Sequence, residues 1–534
     1  MKLPVVPMLI AGALFAGCDP TGGGGGGGGL NNGDGTTGGL PGSETTASGS
    51  LTISGHVTYD YVPSVATNDG ATLDFANAEE RPVRNAVVRV LQDKKTVLAT
   101  TTTDDNGAYS VTVQASGGVL HVQALARTTT PPIQVEDNTD GDPTWGAAAN
   151  VGSATTVDVH ATHGWTGSTY SASKRLAAAF AILDSMYTAS QSFLAERNVN
   201  FPQLHVNWSP ENSPEQGDKT KGQISTSHFA PDDGQIYVLG LEGADTDEFD
   251  SNVIVHEWGH YFEFNLSRSD SPGGPHGGGN NVLDPRIAFG EGWGTSLAAM
   301  ALNKTDYVDT SWSNGVLTGW SSDAENVNND DAQPSAFSEN TIIRLLWDLH
   351  DTGTNETFDT TSFSMGQIYD VMANHEKNTR AVTTLGSFIT GMKGLPGANV
   401  TAIDTLLAAY NIGPISDDFG QGDPALYDMY VFATALPFSH TVQLGGGNPY
   451  NSWQQNEYYV FTGTGGTMRL NVTSAFPFYI ALYANGTKLG ELDGSTGTVD
   501  YADTTVSGTT YVAVVTGLND QQGDYPVNIN ISGQ

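Results

Sequence analysis

The chain has 534 residues, with 21 Lys and Arg against 58 Asp and Glu and a formal charge of −37. At about 150 residues per domain, that length predicts roughly three folded units plus linkers, each able to bury a core. So acidic a surface repels phosphate backbones and anionic headgroups, which sets nucleic acid aside as a partner and leaves a solvated extracellular surface, or attraction of basic substrates and Ca²⁺.

Lys2 supplies a short positive stretch, and Leu3 to Phe15 form an apolar run too short to span a bilayer, the pattern of an export signal. The run ends in Leu14-Phe15-Ala16-Gly17-Cys18, which resembles a bacterial lipobox, although Phe15 stands where an aliphatic residue is usual. The resemblance implies a lipoprotein signal peptide over residues 1–17, lipidation of Cys18, and a membrane anchor in the bacterial cell envelope, at the periplasm or cell surface. Cys18 is the only cysteine of the chain, so neither a disulfide nor a catalytic thiol competes for it. Gly22 to Gly29 is an unbroken glycine run inside a Gly-, Thr- and Ser-rich stretch, and residues 18–50 are expected to be a flexible tether.

Residues 51–161 change to alternating, β-branched segments such as Ala86-Val-Val-Arg-Val-Leu91 and Ala108-Tyr-Ser-Val-Thr-Val113, separated by turn residues such as Asp105-Asn106-Gly107. That pattern predicts a small β-sandwich. In the order of its motifs the segment resembles a carboxypeptidase regulatory-like, transthyretin-type module. Asp137-Asn-Thr-Asp-Gly-Asp142 has the acidic spacing of a Ca²⁺ loop but lacks the later Glu of an EF-hand, and is read first as a plain acidic loop.

Over Ser171 to Glu196, Leu176, Phe180, Leu183 and Tyr187 fall on one stripe and predict an amphipathic helix. Gln203 to Trp208, Gln223 to Phe229 and Gln235 to Leu241 read as strands, and a helical zone with interruptions is expected from there to about Tyr410. Within that zone lies Asn252-Val-Ile-Val-His256-Glu257-Trp-Gly-His260-Tyr-Phe-Glu-Phe264. A helix apolar on nearly every side is buried, so its polar residues need a reason to be there. His256 and His260, four apart, stack on one face and let two imidazoles reach one tetrahedral ion, while Glu257 flanks that face as the general base.

A catalytic zinc needs a third protein ligand. The metzincin pattern would place a glycine and a histidine shortly after His260, where this chain has Glu263 and Leu266. Glu291, the one ionisable residue of the small-residue helix Ala288 to Met300, is the preferred third ligand, with His276 and Asp284 as weaker rivals on less rigid ground. His256-Glu-Trp-Gly-His260 followed by Gly290-Glu291-Gly-Trp-Gly294 resembles the gluzincin clan of metallopeptidases, and its fungalysin branch most. Leu345-Leu-Trp-Asp-Leu349 also resembles that branch. The resemblance implies a zinc metallopeptidase acting on proteins or peptides, with residues 162–420 as an α+β, zincin-like catalytic domain. Thr295 stands where such families place an acid that orients a zinc histidine, and no fungalysin-type inhibitory propeptide is recognisable. Tyr261, Tyr307, His350 and His375 are the candidates for the transition-state donor.

Residues 421–534 return to a β pattern, as in Tyr458-Tyr-Val-Phe461 and Thr510-Tyr-Val-Ala-Val-Val515, and resemble a pre-peptidase C-terminal β-sandwich. The expected architecture is therefore multidomain, an α+β catalytic unit between two β-sandwiches. Two rival readings place other chemistry on the same layout: a non-enzymatic cell-surface binding protein with the zincin fold as spacer, or a zinc amidase acting on a cell-wall polymer.

Overall fold

The structure is a computed structural model that describes residues 40, 42–68, 70–171, 175–274, 276, 283–313, 315–325, 334–351, 353, 356–445, 451–494, 497–518 and 524–533. The signal segment, Cys18 and residues 19–39 and 41 of the expected tether lie outside the described residues, and the tether is shorter than the 18–50 expected, because Thr46 to Ser50 already belong to the first strand and pair with a neighbour. More of those residues lie in strands than in helices, in several β-sheet units with the helices concentrated in the middle of the chain.

The alternation seen in the N-terminal sequence becomes strands β1 (Thr46–Tyr61), β2 (Ser64–Thr67), β3 (Gly70–Leu73), β4 (Glu79–Pro82), β5 (Ala86–Gln92), β6 (Thr96–Thr102) and β7 (Ala108–Thr128). Along β1 the period of two puts Ile53, Val57 and Tyr59 inside, and the antiparallel register Ile53↔Val111 joins it to β7. β7 is long enough to leave β1, and beyond Val119 its residues Leu120 to Ala124 lie between β5 on one side and β9 (Gly146–Val151) on the other. β8 (Ile133–Glu136) continues the sheet, while β10 (Val159–Ala161) closes its other edge beside β1.

Beyond residue 161 the sheet does not stop. β11 (Leu204–Trp208) lies parallel to β8 with Val206 opposite Val135, β13 (Gln235–Val238) lies parallel to β11, and β12 (His228–Ala230) forms the antiparallel edge. The expected division at 161 thus runs through one hydrogen-bonded sheet. β12 covers only the last part of the strand predicted over Gln223 to Phe229.

Helix α1 (Ala177–Leu194) packs on this sheet and is shorter than the Ser171 to Glu196 predicted. Tyr59 of β1 donates its hydroxyl to Asp184 of α1 at 2.9 Å, tying sheet to helix. α2 (Ser251–Leu266) and α3 (Pro285–Leu302) form the next layer, and α4 (Glu339–His350) covers α3. A hairpin, β14 (Asp306–Ser313) and β15 (Val316–Asp323), interrupts what the sequence suggested was a helical zone. Its signal was present in sequence, since an Asn-Gly pair between two alternating runs is the usual mark of a hairpin.

Strands between Tyr430 and Gly533 form a five-stranded and a four-stranded sheet with a separate core around Leu470, Val472, Ile480, Val515 and Ile529. This unit meets the middle of the chain where Tyr458 donates to Asp284 at 2.8 Å, and Tyr430, Tyr458 and Tyr483 join the main core. Among the described residues no helix is long and apolar enough to cross a membrane.

Candidate metal centre

α2 is buried on almost every side, with Val253, Ile254, Val255, Trp258 and Phe262 in the core, so its orientation is fixed by packing and not by its polar residues. α3 approaches it closely because glycines face each other: a Cβ built on Gly259 would stand 3.0 Å from Gly294 Cα. The Trp293 indole donates to the Gly259 carbonyl at 3.1 Å and locks the register. On this seam His256 and His260 project from α2 and Glu291 from α3.

The donor atoms of the three residues converge. His256 Nε2 is 3.0 Å from His260 Nε2, Glu291 Oε2 is 3.2 Å from His256 Nε2, and Glu291 Oε2 is 3.3 Å from His260 Nε2. Atoms each about 2.0–2.2 Å from one tetrahedral ion lie about 3.3–3.5 Å apart, so this triangle is a slightly contracted face of such a tetrahedron. The residues therefore fit a metal ion, and their three ligand atoms all fall within the span one ion would bridge.

The electrostatics agree with a ligand set. Burial alone would raise Glu291, but His260 and the hydrogen bonds from both imidazoles hold its carboxyl well below the usual carboxylate range. Burial works against charge on His260, yet the Glu291 carboxylate overrides it and lifts the imidazole to about 10. Protons and a metal ion compete for the same nitrogens.

The next layer is built from groups the sequence only partly announced. Thr295 Oγ1 is 2.9 Å from His256 Nδ1 and takes the place where an acid was expected. Gly294 makes room for that imidazole, since a Cβ there would come to 2.9 Å from His256 Nδ1. Glu257 is turned toward the edge strand β12, where the Phe229 N–H donates to its Oε2 at 2.7 Å.

His276 comes to the site from the glycine-rich loop before α3. Its Nε2 is 3.4 Å from Glu291 Oε2 and its Nδ1 is 3.1 Å from Glu339 Oε2, at the start of α4. Burial opposes its charge, but Glu339 and Glu291 raise it to about 9. Nothing in sequence spacing links Glu339 to His276, because 63 residues separate them. Asp284, the other rival ligand, caps α3 and is held by Arg286 and Tyr458.

Of the four donor candidates, Tyr261 gives its hydroxyl to the Pro202 carbonyl at 2.6 Å, His350 Nδ1 contacts the Phe363 carbonyl at 2.8 Å, and His375 pairs with Asp418. Tyr307 of β14 is different, with its ring centroid 6.3 Å from that of His256 and stacked on Trp320. In the Asp137 to Asp142 loop, the Asp137 carboxylate is taken up by the Thr139 N–H and hydroxyl at 2.9 and 2.7 Å.

No protein-family profile and no curated protein matches the chain. Among solved structures it is similar to the pre-peptidase C-terminal domain of a collagenase from Bacillus anthracis (12% identity, 19% of this chain and 92% of that one, TM-score 0.16). It is also similar to the Yersinia pseudotuberculosis-derived mitogen (12% identity, 18% and 88%, TM-score 0.14). A third is PliG from Aeromonas hydrophila, a periplasmic inhibitor of g-type lysozyme (14% identity, 20% and 96%, TM-score 0.16). Overlaps this slight leave the chemistry to be argued from the site itself.

Proposed function

We propose that the protein is an exported, lipid-anchored zinc metallopeptidase of the gluzincin type, fungalysin-like in its motifs, with His256, His260 and Glu291 as ligands and Glu257 as general base. The observation that carries this reading is the triangle of donor atoms on α2 and α3 with edges of 3.0, 3.2 and 3.3 Å, with Glu257 on the same helix. Zinc suits a site of two imidazoles and one carboxylate that leaves a coordination position open.

Bound there, zinc supplies Lewis acidity, polarising a scissile carbonyl and bringing the ionisation of water toward neutrality. Glu257, its carboxylate oriented by the Phe229 N–H, accepts a proton from the attacking water and returns it to the departing amine. β12 is a sheet edge beside this carboxylate and offers backbone groups along which an extended peptide aligns. His276, whose protonated form Glu339 and Glu291 favour, and Tyr307, whose ring lies beside His256, are the groups this reading assigns as donors to the oxyanion that would develop on the carbonyl.

The test is metal analysis of the purified protein beside Glu291→Ala and Glu257→Gln, with casein digestion in parallel. One zinc per chain with chelator-sensitive cleavage is expected, Glu291→Ala losing both and Glu257→Gln keeping zinc while its rate falls on the order of 10²-fold or more. Metal retained without Glu291 would reassign the third ligand, and a fully active Glu257→Gln would remove the base.

A further inference from the structure

A second group of acids gathers at the N-terminal end of α2. Asp245, Asp247 and Asp309 each offer a carboxylate oxygen within 4.8 Å of the others'. Two oxygens on opposite sides of an ion at about 2.4 Å are at most about 4.8 Å apart, so one large cation spans this group. Asp250, the residue before α2, stands beside them, and the charges that bear on it most include Asp309 and Asp245.

Two of these side chains are sealed from solvent with an oxygen unsatisfied. Asp250 is 0% exposed and spends Oδ2 on the Thr310 N–H and hydroxyl at 2.8 and 2.7 Å, but its Oδ1 has no hydrogen-bond partner. Asp247 is 3% exposed and gives Oδ2 to the Ser227 hydroxyl, and its Oδ1 too has no partner. A buried carboxylate oxygen left without a donor costs several kcal/mol unless a charge or hydrogen bond compensates it. The strongest charges on Asp247 are those of Asp245, Asp309 and Asp250, all of its own sign, so without a cation Asp247 is pushed up and shares a proton with Asp245. Lys304 feels Asp250, but its ammonium donates to the Ser64 carbonyl at 3.2 Å.

We propose that Asp245, Asp247 and Asp309 form a second cation site, with Asp250 adding charge beside it, for a hard divalent ion of the Ca²⁺ class, distinct from the His256, His260 and Glu291 centre. All-oxygen, carboxylate-rich ligation selects Ca²⁺ over zinc, and a group that spans up to 4.8 Å suits the larger, flexible coordination of Ca²⁺ better than the small, strict octahedron of Mg²⁺. The ion cross-links the segment that starts α2 to β14, which already clasps it through Thr310 to Asp250 and Val308 to Asn252 Oδ1 at 3.4 Å. β14 carries Tyr307, so the same link fixes that ring beside His256. The proposal does not rest on the peptidase reading.

The experiment is calorimetric titration of the chelator-treated, dialysed protein with CaCl₂ and, separately, MgCl₂, followed by thermal unfolding with and without Ca²⁺. One Ca²⁺ per chain, a midpoint raised by several degrees, and no equivalent effect of Mg²⁺ are expected. Asp245→Asn and Asp309→Asn, at partly exposed positions, are expected to weaken Ca²⁺ binding on the order of tenfold or more while unfolding no earlier than the wild type in chelator, because each removes a like charge. Absence of saturable Ca²⁺ binding, or a Ca²⁺ shift that survives in both variants, overturns the site. Zinc content is read in the same samples, and its loss or retention bears on the other centre alone.

Discussion

Thr295 Oγ1 lies 2.9 Å from His256 Nδ1, at the ring nitrogen opposite the one that faces Glu291. An imidazole that ligates through Nε2 carries its proton on Nδ1, so the threonine hydroxyl accepts from it and fixes both tautomer and ring plane. Replacement by Val keeps the shape and removes the acceptor. Thr295→Val is expected to weaken zinc binding about 10- to 100-fold, and Thr295→Ser to stay near the wild type, as read by competition with a chromogenic chelator. Equal affinities for all three would show that packing alone positions His256.

The glycines of α3 separate metal binding from stability. A Cβ on Gly294 meets His256 at 2.9–3.1 Å, while one on Gly292 meets Ile342 of α4 at 2.5 and 2.7 Å. Gly292→Ala is expected to be destabilising by up to about 2 kcal/mol, because overpacking of about 1–3 kcal/mol is offset only by the roughly 1 kcal/mol that alanine gains in a helix. Its zinc affinity should be unchanged. Gly294→Ala should do the reverse and lose affinity by about tenfold with a smaller change in denaturant midpoint.

Glu339 acts on the site through His276, its Oε2 being 3.1 Å from His276 Nδ1. Removing that charge lets the imidazole fall from about 9 toward its ordinary value. Glu339→Gln is expected to move the alkaline limb of the activity profile to lower pH while zinc content holds, with the His276 ring titrating earlier by NMR. An unshifted ring titration would dissociate the pair.

Metal affinity and stability should respond to pH with opposite signs. The folded-state value of His260 stands at about 10 against 6.5 for an ordinary histidine, so its protonation stabilises the metal-free fold fully below about pH 6.5, and that increment is lost as pH rises toward 10. Zinc needs the unprotonated ring, so its contribution grows over the same interval. The gap between the unfolding midpoints of zinc-loaded and chelator-treated protein is expected to widen between pH 7 and pH 9, and a constant gap would mean that no proton is displaced.

Much of the centre was legible in sequence because it rests on local geometry. Residues four apart on a helix share a face whatever the surrounding fold, so His256 and His260 announce themselves, and burial of α2 follows from its apolar sides. The choice among Glu291, His276 and Asp284 was less local, and spacing could only rank them. Closeness of two helices depends on Gly259 meeting Gly294, and that contact brings Glu291 Oε2 to 3.2 Å from His256 Nε2.

What the sequence by itself determined is the alternation of the outer strands, the apolar helix and its two imidazoles, all set by side-chain periods of 2 and 3.6. The tertiary structure alone decided what occupies the space around them: Thr295 in place of an acid, Glu339 reaching back across 63 residues to His276, the sheet that runs on through residue 161, and the three aspartates Asp245, Asp247 and Asp309 brought together from two segments. Hydrogen bonds and charges act over a few ångströms in space irrespective of distance along the chain, so such partners carry no period for a sequence to display.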